Sequence, residues 1–416
     1  MGFGDLGLGD LGFGDIILLA GAVLAAIVLF HPLLMRWDVW RAIVTPLASI
    51  IGSGFLVSGP ILAHASGQLA WLAMLALCAV GYLYGSVMRH NIINIEPALA
   101  HEPARVMVVL ERFSDIALVF AYFISVAFYL TLFAAFALRV GNIVDQFWIK
   151  LLTSSVLAAL GLLGFFRGLR ALERVEEYSV GFKLSIILGL IGALFVLTMV
   201  AMKAGNFSWP ELTSQGGWRE TRILLGLVIL VQGFETSRYL GRAYDAEMRV
   251  KTMRVAQWIS TAIYLAFIVL ATRYFTGKLA QSGGETAIID LLAPVGVLVA
   301  PLLIAAAMAS QLSAAVADMN GSAGLLAEVS AGRFNPRWGY ALAAIAAIAI
   351  VWSADIFSII TLASKAFLLY YGLQSVQAVL AIVSGKSQAR RWRGFVYGFG
   401  AVLALLIIVL AIPAGA

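Results

Sequence analysis

The chain of 416 residues is 62% hydrophobic and only 12% charged, whereas soluble domains carry roughly 25% charged residues. This composition excludes a water-soluble globular protein, because apolar runs of about 20 residues, the length that crosses a bilayer, recur from one end to the other. The net charge of +6 does not indicate a nucleic-acid-binding surface, since most basic residues lie between the apolar runs. The single cysteine, Cys78, excludes an internal disulfide.

The chain begins with an acidic, glycine-rich repeat, GFGDLGLGDLGFGD, which we interpret as a short exposed tail over residues 1–14. The apolar segments that follow predict twelve membrane-spanning helices, at residues 15–35, 42–64, 69–89, 113–138, 147–166, 178–202, 221–241, 255–276, 296–326, 338–353, 356–384 and 394–413. Helices are favoured over barrel strands, because barrel strands alternate in polarity over about ten residues whereas these runs are apolar on nearly every face.

The basic residues predict the orientation of these helices. Most of them lie in alternate loops, and the opposite loops carry only Arg139, Lys150, Lys203, Arg219, Arg222, Arg273 and Lys278. Because loops rich in arginine and lysine stay in the cytoplasm, both chain termini are expected on the non-cytoplasmic side of a bacterial-type inner membrane.

The second predicted span, TPLASIIGSGFLVSGPILA, is interrupted at its centre by Gly52, Ser53 and Gly54. Glycine in a helix interior costs about 0.5 to 1 kcal/mol relative to alanine, and unpaired backbone groups are tolerated at this depth only where they line a protected cavity. We therefore expect a broken helix. The backbone N–H groups of Ser53, Gly54 and Phe55 would carry a partial positive charge, which suits a carboxylate.

The seventh predicted span, RILLGLVILVQGFETSRYLG, is interrupted in the same way by Gly233. If the first span is set aside, the two interrupted helices occupy the same place in two successive groups of five, a pattern that indicates a solute site between inverted repeats. Carbonyl groups near Val231 and Gln232 suit an ammonium group, so an α-amino acid zwitterion would satisfy both breaks. The candidate substrate-binding residues are Ile51, Gly52, Ser53, Gly54, Phe55, Val231, Gln232, Gly233 and Phe234.

Several segments resemble the amino acid, polyamine and organocation (APC) transporter superfamily. Its first helix is similar to IIGSGFLVSGP, its third to SDIALVFAYFISVAFYL, its sixth to VQGFETSRYLGRAYD and its tenth to DIFSIITLASKAFLLYYGL. The connection into its fifth helix is similar to FRGLRALERVEEYSVGFKLSIIL. The resemblance covers residues 40 to about 385. It implies an all-α, leucine-transporter-like fold of two inverted five-helix repeats with a central site and alternating access.

Two features depart from this family pattern. An extra helix precedes the GSG helix and a single helix follows the core, whereas typical permeases begin with the GSG helix and end with two more. The leading helix and the run ASQLSAAVADMNGSAG look more like the sodium/solute symporters. The expected organisation is a tail at 1–14, an extra helix at 15–38, repeats at 40–203 and 204–385, and a C-terminal helix at 386–416.

Two lysines lie inside predicted spans, where a charge calls for a partner or a purpose. Lys183 matches the place where proton-driven permeases of the superfamily carry a lysine in lieu of a sodium ion, so the resemblance implies a proton-coupling residue; the alternative is a lysine whose ammonium group reaches the membrane interface. Lys365 either faces the substrate or forms a structural bridge with Asp318 or Glu235, and the bridge is the favoured interpretation.

Two carboxylates are candidates for gating. Glu235 follows the second break by two residues and is interpreted as a proton relay or gate. The alternative is a structural hydrogen bond that holds the broken helix together, with pairing to Arg238 as part of it. Asp318, with Asn320, lies in the long ninth span, and both a gate and polar packing remain open for it.

Other side chains have a spacing compatible with a pocket. Tyr122, Ser125, Phe128 and Tyr129 on the fourth span would line a pocket or gate, although packing is the more common role of such a stripe. Gln311 lies near the expected midplane. Ser310 and Ser313 keep sodium coupling open, because hydroxyl groups on this helix ligate the ion in sodium-coupled relatives.

The remaining motifs argue against an enzyme. The four histidines lack the spacing of a metal site, and no nucleotide-binding loop or nucleophile with its base is evident, so we expect no cofactor and no catalysis. The sequence predicts a secondary transporter, a proton-coupled symporter or exchanger of an amino acid or related small amine-bearing solute. The alternatives are a sodium-coupled symporter of another small organic solute and a sensor with the same fold. The expected partners are the substrate, the lipid bilayer and, as an open option, further copies of the chain, but no nucleic acid.

Overall fold

A computed structural model describes residues 11–52, 54–101, 104–209, 217–275, 284–330, 332–385, 387 and 390–414, with only the backbone described at 170–177 and 242. The regular structure of these residues is helical, and its α-helices are α1 (Phe13–Leu29), α2 (Pro32–Met35), α3 (Asp38–Gly52), α4 (Phe55–Ser66), α5 (Ala70–His101), α6 (Arg105–Arg139), α7 (Gln146–Arg167), α8 (Arg170–Lys203), α9 (Trp218–Leu225), α10 (Ala246–Thr272), α11 (Ala287–Leu292), α12 (Val299–Val329), α13 (Pro336–Ser353), α14 (Ile356–Val383) and α15 (Arg391–Leu410). Nine helical segments among the described residues are long and apolar enough to cross a bilayer. The predicted all-α polytopic architecture is confirmed.

Each of the twelve predicted spans coincides with a helix or an interrupted helix. The largest differences in length occur at α5, α6 and α8: α5 extends to His101, α6 begins at Arg105 and α8 begins at Arg170, well beyond the apolar runs. Hydropathy detects only the lipid-embedded part of a helix. The polar extension of α5 is fixed from the side by the Asn91 amide, whose nitrogen donates to the Gln374 side-chain oxygen at 2.7 Å.

The first predicted span ends earlier than expected. Helix α1 stops at Leu29, and Pro32 begins the short helix α2, because proline cannot donate the backbone hydrogen bond that would continue the first helix. The His31 side chain accepts the N–H group of Leu33 at 3.3 Å and so caps the new helix.

The extra helix α1 packs along α8 through a contact between two glycines. A Cβ atom on Gly189 would lie 2.6 Å from the Leu18 carbonyl oxygen and 2.7 Å from the Ala22 nitrogen, and one on Gly21 would lie 3.1 Å from the Gly189 Cα. Small residues allow helix backbones to approach closely. In a membrane such close packing stabilises a helix pair, because larger apolar side chains interact with lipid tails as favourably as with another helix. The crossing of α1 and α8 therefore depends on these glycines.

The last aspartate of the N-terminal repeat, Asp15, is buried in this assembly. Its carboxylate accepts the N–H groups of Val297 and Leu298, at 3.2 and 2.8 Å, immediately before α12. A carboxylate at a helix N-terminus satisfies unpaired N–H groups and is favoured by the helix dipole. Helix α1 therefore holds α8 along its length and α12 at its end. Residues 1–10 of the predicted tail lie outside the described residues, and Gly14, its last residue, is buried at the start of α1.

We expect the substitution Gly189→Ala to destabilise the protein, because the new methyl group meets backbone atoms that cannot move aside. Overpacking of this kind costs about 1 to 3 kcal/mol. The matched control is Gly192→Ala on the same helix, where no atom of the described residues would lie within 4 Å of an added Cβ atom. Thermal unfolding of the purified protein should show a lower melting temperature for Gly189→Ala and an unchanged or higher one for Gly192→Ala; equal shifts would contradict the proposed contact.

We also expect Asp15→Ala to lower the free energy of unfolding by about 1 to 3 kcal/mol, because the N–H groups of Gly12, Val297 and Leu298 lose a charged acceptor. The control is Asp38→Ala, since the Asp38 side chain is 73% exposed. Thermal unfolding measures both variants, and a melting temperature for Asp15→Ala equal to that of the control would show that the cap contributes little.

Candidate functional site

The first predicted break is present. Helix α3 ends at Gly52 and α4 begins at Phe55, while Ser53 lies outside the described residues. Two side chains donate to carbonyl groups at the end of α3: the Tyr264 hydroxyl to Ile50 at 3.0 Å, and the Gln311 amide nitrogen to Gly52 at 3.3 Å. Two of the carbonyl groups at the break therefore have donors on neighbouring helices, as the membrane interior requires.

The second predicted break is longer than the first. Helix α9 ends at Leu225, and two 3-10 helices follow, Val228–Val231 and Phe234–Arg242. Between them Gly233 has a φ of 119°, a conformation that other residues rarely adopt. The Ser364 hydroxyl of α14 bridges two backbone groups of the unwound segment: it accepts the Ile229 N–H group at 3.0 Å and donates to the Gly226 carbonyl at 2.7 Å.

The two breaks pack directly against each other. The Tyr264 hydroxyl shares its one proton between the Ile50 carbonyl of the first break, at 3.0 Å, and the Leu230 carbonyl of the second, at 2.5 Å. A Cβ atom on Gly54 would lie 2.2 Å from a terminal methyl carbon of Leu230, so a larger residue there would require the Leu230 side chain to move. The described candidate substrate-binding residues are all buried: Ile51, Gly52, Gly54, Phe55, Val231, Gln232, Gly233 and Phe234.

Lys183 connects the first break to two other helices. Its ammonium group donates to the Ala48 carbonyl of α3 at 2.8 Å and to the Ser310 hydroxyl of α12 at 3.2 Å, and the residue is 2% exposed. A Cβ atom on Gly52 would lie 3.1 Å from the Lys183 nitrogen. The ammonium group thus lies against the broken helix and not at a membrane interface.

Glu235 makes the contacts of the structural alternative. Its carboxylate accepts the Gly233 N–H group at 3.0 Å and the Tyr371 hydroxyl at 2.7 Å, which holds the start of the second 3-10 helix. The pairing with Arg238 that formed part of this alternative is wrong, because the Arg238 guanidinium reaches across to Glu111 at 2.6 Å and to Glu96 at 3.4 Å.

A cavity of about 340 Å³ lies beside the breaks, on the side of the bundle where most arginines lie and which is predicted to be cytoplasmic. We call this the arginine-rich side. The cavity is lined by Thr45, Ala48, Ser49, Tyr122, Lys183, Thr236, Tyr239, Leu240, Ser313, Ala314, Ala317, Asp318, Asn320 and Gly321. Lys183 and Asp318 are the charged groups of this lining. Ser310, which contacts Lys183, is eight residues from Asp318 on α12, or about 12 Å along the helix axis.

The predicted pocket residues of the fourth span, now part of α6, have different positions. Tyr122 lines the cavity, and the Ser125 hydroxyl donates to the Asp318 carboxylate. The Tyr129 hydroxyl accepts the Gln232 amide at 2.9 Å and so supports the second break, while Phe128 is fully buried in the core. The stripe therefore combines packing with contacts to the site.

Lys365 does not belong to the cavity lining described above. It is half-buried on α14, and the carboxylates suggested as its partners accept other donors, Tyr371 in the case of Glu235 and Ser125 in the case of Asp318. The favoured bridge therefore has no support in these contacts.

On the opposite side of the breaks, aromatic side chains close the bundle. The ring centroids of Phe55 and Phe267 lie 4.3 Å apart, and a Cβ atom on Gly59 would lie 3.2 Å from the Phe275 ring. Tyr239, on the arginine-rich side, is 43% exposed and lines the cavity. The exposed part of the cavity lining is thus on the arginine-rich side, and packed aromatic rings lie on the other side of the breaks.

Sequence reasoning missed a second cavity on the arginine-rich side, of about 460 Å³, which shares Tyr239 with the first. Charged side chains dominate its wall: Glu96, Glu111, Arg112, Asp115, Arg238 and Glu328. Arg249 extends the network by donating to Glu96 at 2.7 Å. The acidic residues are visible in the sequence, but their partners lie more than a hundred residues away, so no local pattern indicates the pairing.

The comparisons with known proteins cover nearly all of this architecture. A family model described as "APC superfamily transporter" matches residues 32–411, which contain both breaks, Lys183, the cavities and α15 but not α1. An uncharacterized protein from Aquifex aeolicus (strain VF5) is 41% identical over 370 residues, which are 88% of this chain and 90% of the relative. The chain therefore belongs to the APC superfamily of transporters, as the resemblance of its glycine motifs predicted.

Proposed function

We propose that this chain is a secondary active transporter that moves an amino acid or a related small amine-bearing solute by alternating access, coupled to protons through Lys183. The observation that carries the proposal is the position of the Lys183 ammonium group. It lines the cavity and donates both to the broken helix α3 and to α12.

Protonation of Lys183 is the event that would be coupled to helix movement. A charged ammonium group donates stronger hydrogen bonds than a neutral amine and has three donors to distribute. Loss of the proton weakens the links to the Ala48 carbonyl and the Ser310 hydroxyl, and so frees the end of α3 from α12. A ligand or proton shifts such an equilibrium by the difference in its interaction energy between the two states.

The same contacts support protons over sodium as the coupling ion. The Ala48 carbonyl and the Ser310 hydroxyl are oxygen atoms of the kind that hard cations bind. Here the Lys183 nitrogen lies within 3.2 Å of both. A fixed positive charge in this position disfavours a second cation beside it.

Two unpaired amide oxygens support an amine-bearing substrate. The side-chain oxygens of Gln232 and Gln311 are buried beside the breaks and have no hydrogen-bond partner among the described residues. Their amide nitrogens are already used, by Tyr129 and by the Gly52 carbonyl. An ammonium group would satisfy an acceptor of this kind, while the N–H groups at the start of α4 suit a carboxylate.

Asp318 is proposed to gate the route from the arginine-rich side, because it lines the cavity on that side and accepts a hydrogen bond from Ser125 of the neighbouring helix. Glu235 is proposed to stabilise the second break. The aromatic closure on the opposite side matches a state with access from the predicted cytoplasmic face, in a bacterial-type inner membrane.

We expect Lys183→Met to abolish proton-driven accumulation, since methionine keeps the length of the side chain without its charge. The control is Lys203→Met, at the exposed end of the same helix. Uptake of a radiolabelled amino acid panel into proteoliposomes under an imposed pH or sodium gradient measures both. Coupling energies of about 1 to 3 kcal/mol predict a loss of about 5- to 150-fold for Lys183→Met, and little change for the control.

Undiminished pH-driven uptake by Lys183→Met would end the coupling proposal. Uptake that requires sodium would favour the sodium-coupled alternative. If the unaltered protein transports no amine-bearing solute from the panel, the substrate class is wrong.

We expect Gln232→Leu to weaken binding of the amine-bearing substrate by about tenfold, the value of one hydrogen bond to a charged group. The matched control is Gln377→Leu, because Gln377 is also buried with one unpaired side-chain oxygen but lies on α14, where its amide donates to Met107 at 3.3 Å. The KM of uptake is compared for both variants. A similar KM for the two variants would show that the Gln232 oxygen does not face the substrate.

A further inference from the structure

A third cavity, of about 300 Å³, lies between α5, α10 and α15. Among the described residues it shares no lining side chain with the two cavities above. The described part of its wall contains three guanidinium groups, those of Arg89, Arg254 and Arg393, and no aspartate or glutamate. Three like charges around one cavity repel one another, and an anion between them would remove that cost.

Arg89 is fixed in place at this cavity. It is 6% exposed, donates to the Gln257 side-chain oxygen, and has its guanidinium carbon 4.7 Å from the centre of the Tyr82 ring. Arg254 and Arg393, by contrast, are exposed. The cavity therefore combines one rigid cation with two that can adjust to a ligand.

His90 supplies an unused donor. It is 4% exposed, its ring packs against Tyr397 with centroids 5.2 Å apart, and its Nε2 atom has no hydrogen-bond partner among the described residues. The Asn94 side-chain nitrogen lies 3.2 Å from the other ring nitrogen. Because an amide N–H group can only donate, this contact favours the tautomer that carries the ring proton on Nε2. A buried N–H group without a partner is costly, so this atom also calls for an acceptor.

The cavity lies where lipid head groups are expected. Helix α15 begins at Arg391 and α10 at Ala246, both on the arginine-rich side, and Arg254 is about two turns into α10. Large apolar side chains at and near the cavity are exposed: Trp392 of its lining is 56% exposed, Trp258, whose ring centroid lies 5.4 Å from that of the lining residue Tyr82, is 60% exposed, and Phe395, one turn after Trp392 on α15, is 83% exposed. Tryptophan at this level is typical of a membrane interface, and the phenylalanine suits acyl chains.

We propose that this cavity binds the phosphate group of an anionic phospholipid from the leaflet on the arginine-rich side. The guanidinium groups pair with the phosphate oxygens, His90 donates to one of them, and the acyl chains lie along Trp392 and Phe395. Basic pockets between membrane helices on the cytoplasmic side are suited to such head groups. The lipid would connect α15, the single helix after the core, to α5 and α10.

The test compares ligands on the purified full-length protein in neutral detergent. Native mass spectrometry and melting-temperature titration are performed with a short-chain phosphatidylglycerol, the matching phosphatidylcholine, and inorganic phosphate. We expect saturable binding of phosphatidylglycerol at least about tenfold tighter than that of either other ligand, as expected for several basic residues acting on one net charge.

The variant Arg254→Gln/Arg393→Gln should lose about tenfold or more of the affinity for phosphatidylglycerol. The matched control is Arg390→Gln/Arg391→Gln, which removes two exposed charges that do not line the cavity. Equal losses in the two double variants would overturn the proposal, as would equal affinity for the two lipids. Binding of inorganic phosphate as tight as that of phosphatidylglycerol would assign the site to a free phosphate and overturn the lipid.

Discussion

The structure depends on one constraint, which is that backbone groups freed in the middle of a membrane must find partners inside the protein. An unpaired N–H or carbonyl group costs several kcal/mol where no water is present. At the two breaks those partners are side chains of other helices. The Tyr264 hydroxyl serves both breaks at once, and the Ser364 hydroxyl spans the second. The interruption of α3 and of the helix after α9 is therefore inseparable from the packing of α10 and α14 around them.

The polar groups around the two breaks are not all neutral, and not all of them are paired within the described part of the chain. The donor to the Ala48 carbonyl of α3 is the charged ammonium group of Lys183, whereas a serine or tyrosine hydroxyl would be a neutral donor. Gln232 and Gln311 use their nitrogens on the protein and leave their oxygens without a partner among the described residues. The proposed function assigns these two acceptors to a small ligand with N–H donors.

The sequence predicted the breaks and the spans well, because glycines and apolar runs are local signals. It singled out Lys183 and Asp318, which both line the first cavity, because charges inside a span are few. It could not predict contacts that join distant segments: Arg238 was considered as a partner for the nearby Glu235, yet it binds Glu96 and Glu111. It also gave no sign that Asp15 is buried, because the aspartates of the repeat look alike until α12 supplies its N–H groups to the third.

The position of α1 has a consequence for how the bundle can rearrange. Asp15 fixes α12 and the glycine crossing fixes α8, so α1, α8 and α12 form a braced frame. The Lys183 bond to Ser310 lies within this frame, whereas its bond to Ala48 crosses to a helix outside it. A displacement of α3 therefore stretches the second bond and leaves the first intact. By holding α8 and α12 together, the leading helix determines which of the two Lys183 hydrogen bonds would change when α3 moves: the one to Ala48 and not the one to Ser310.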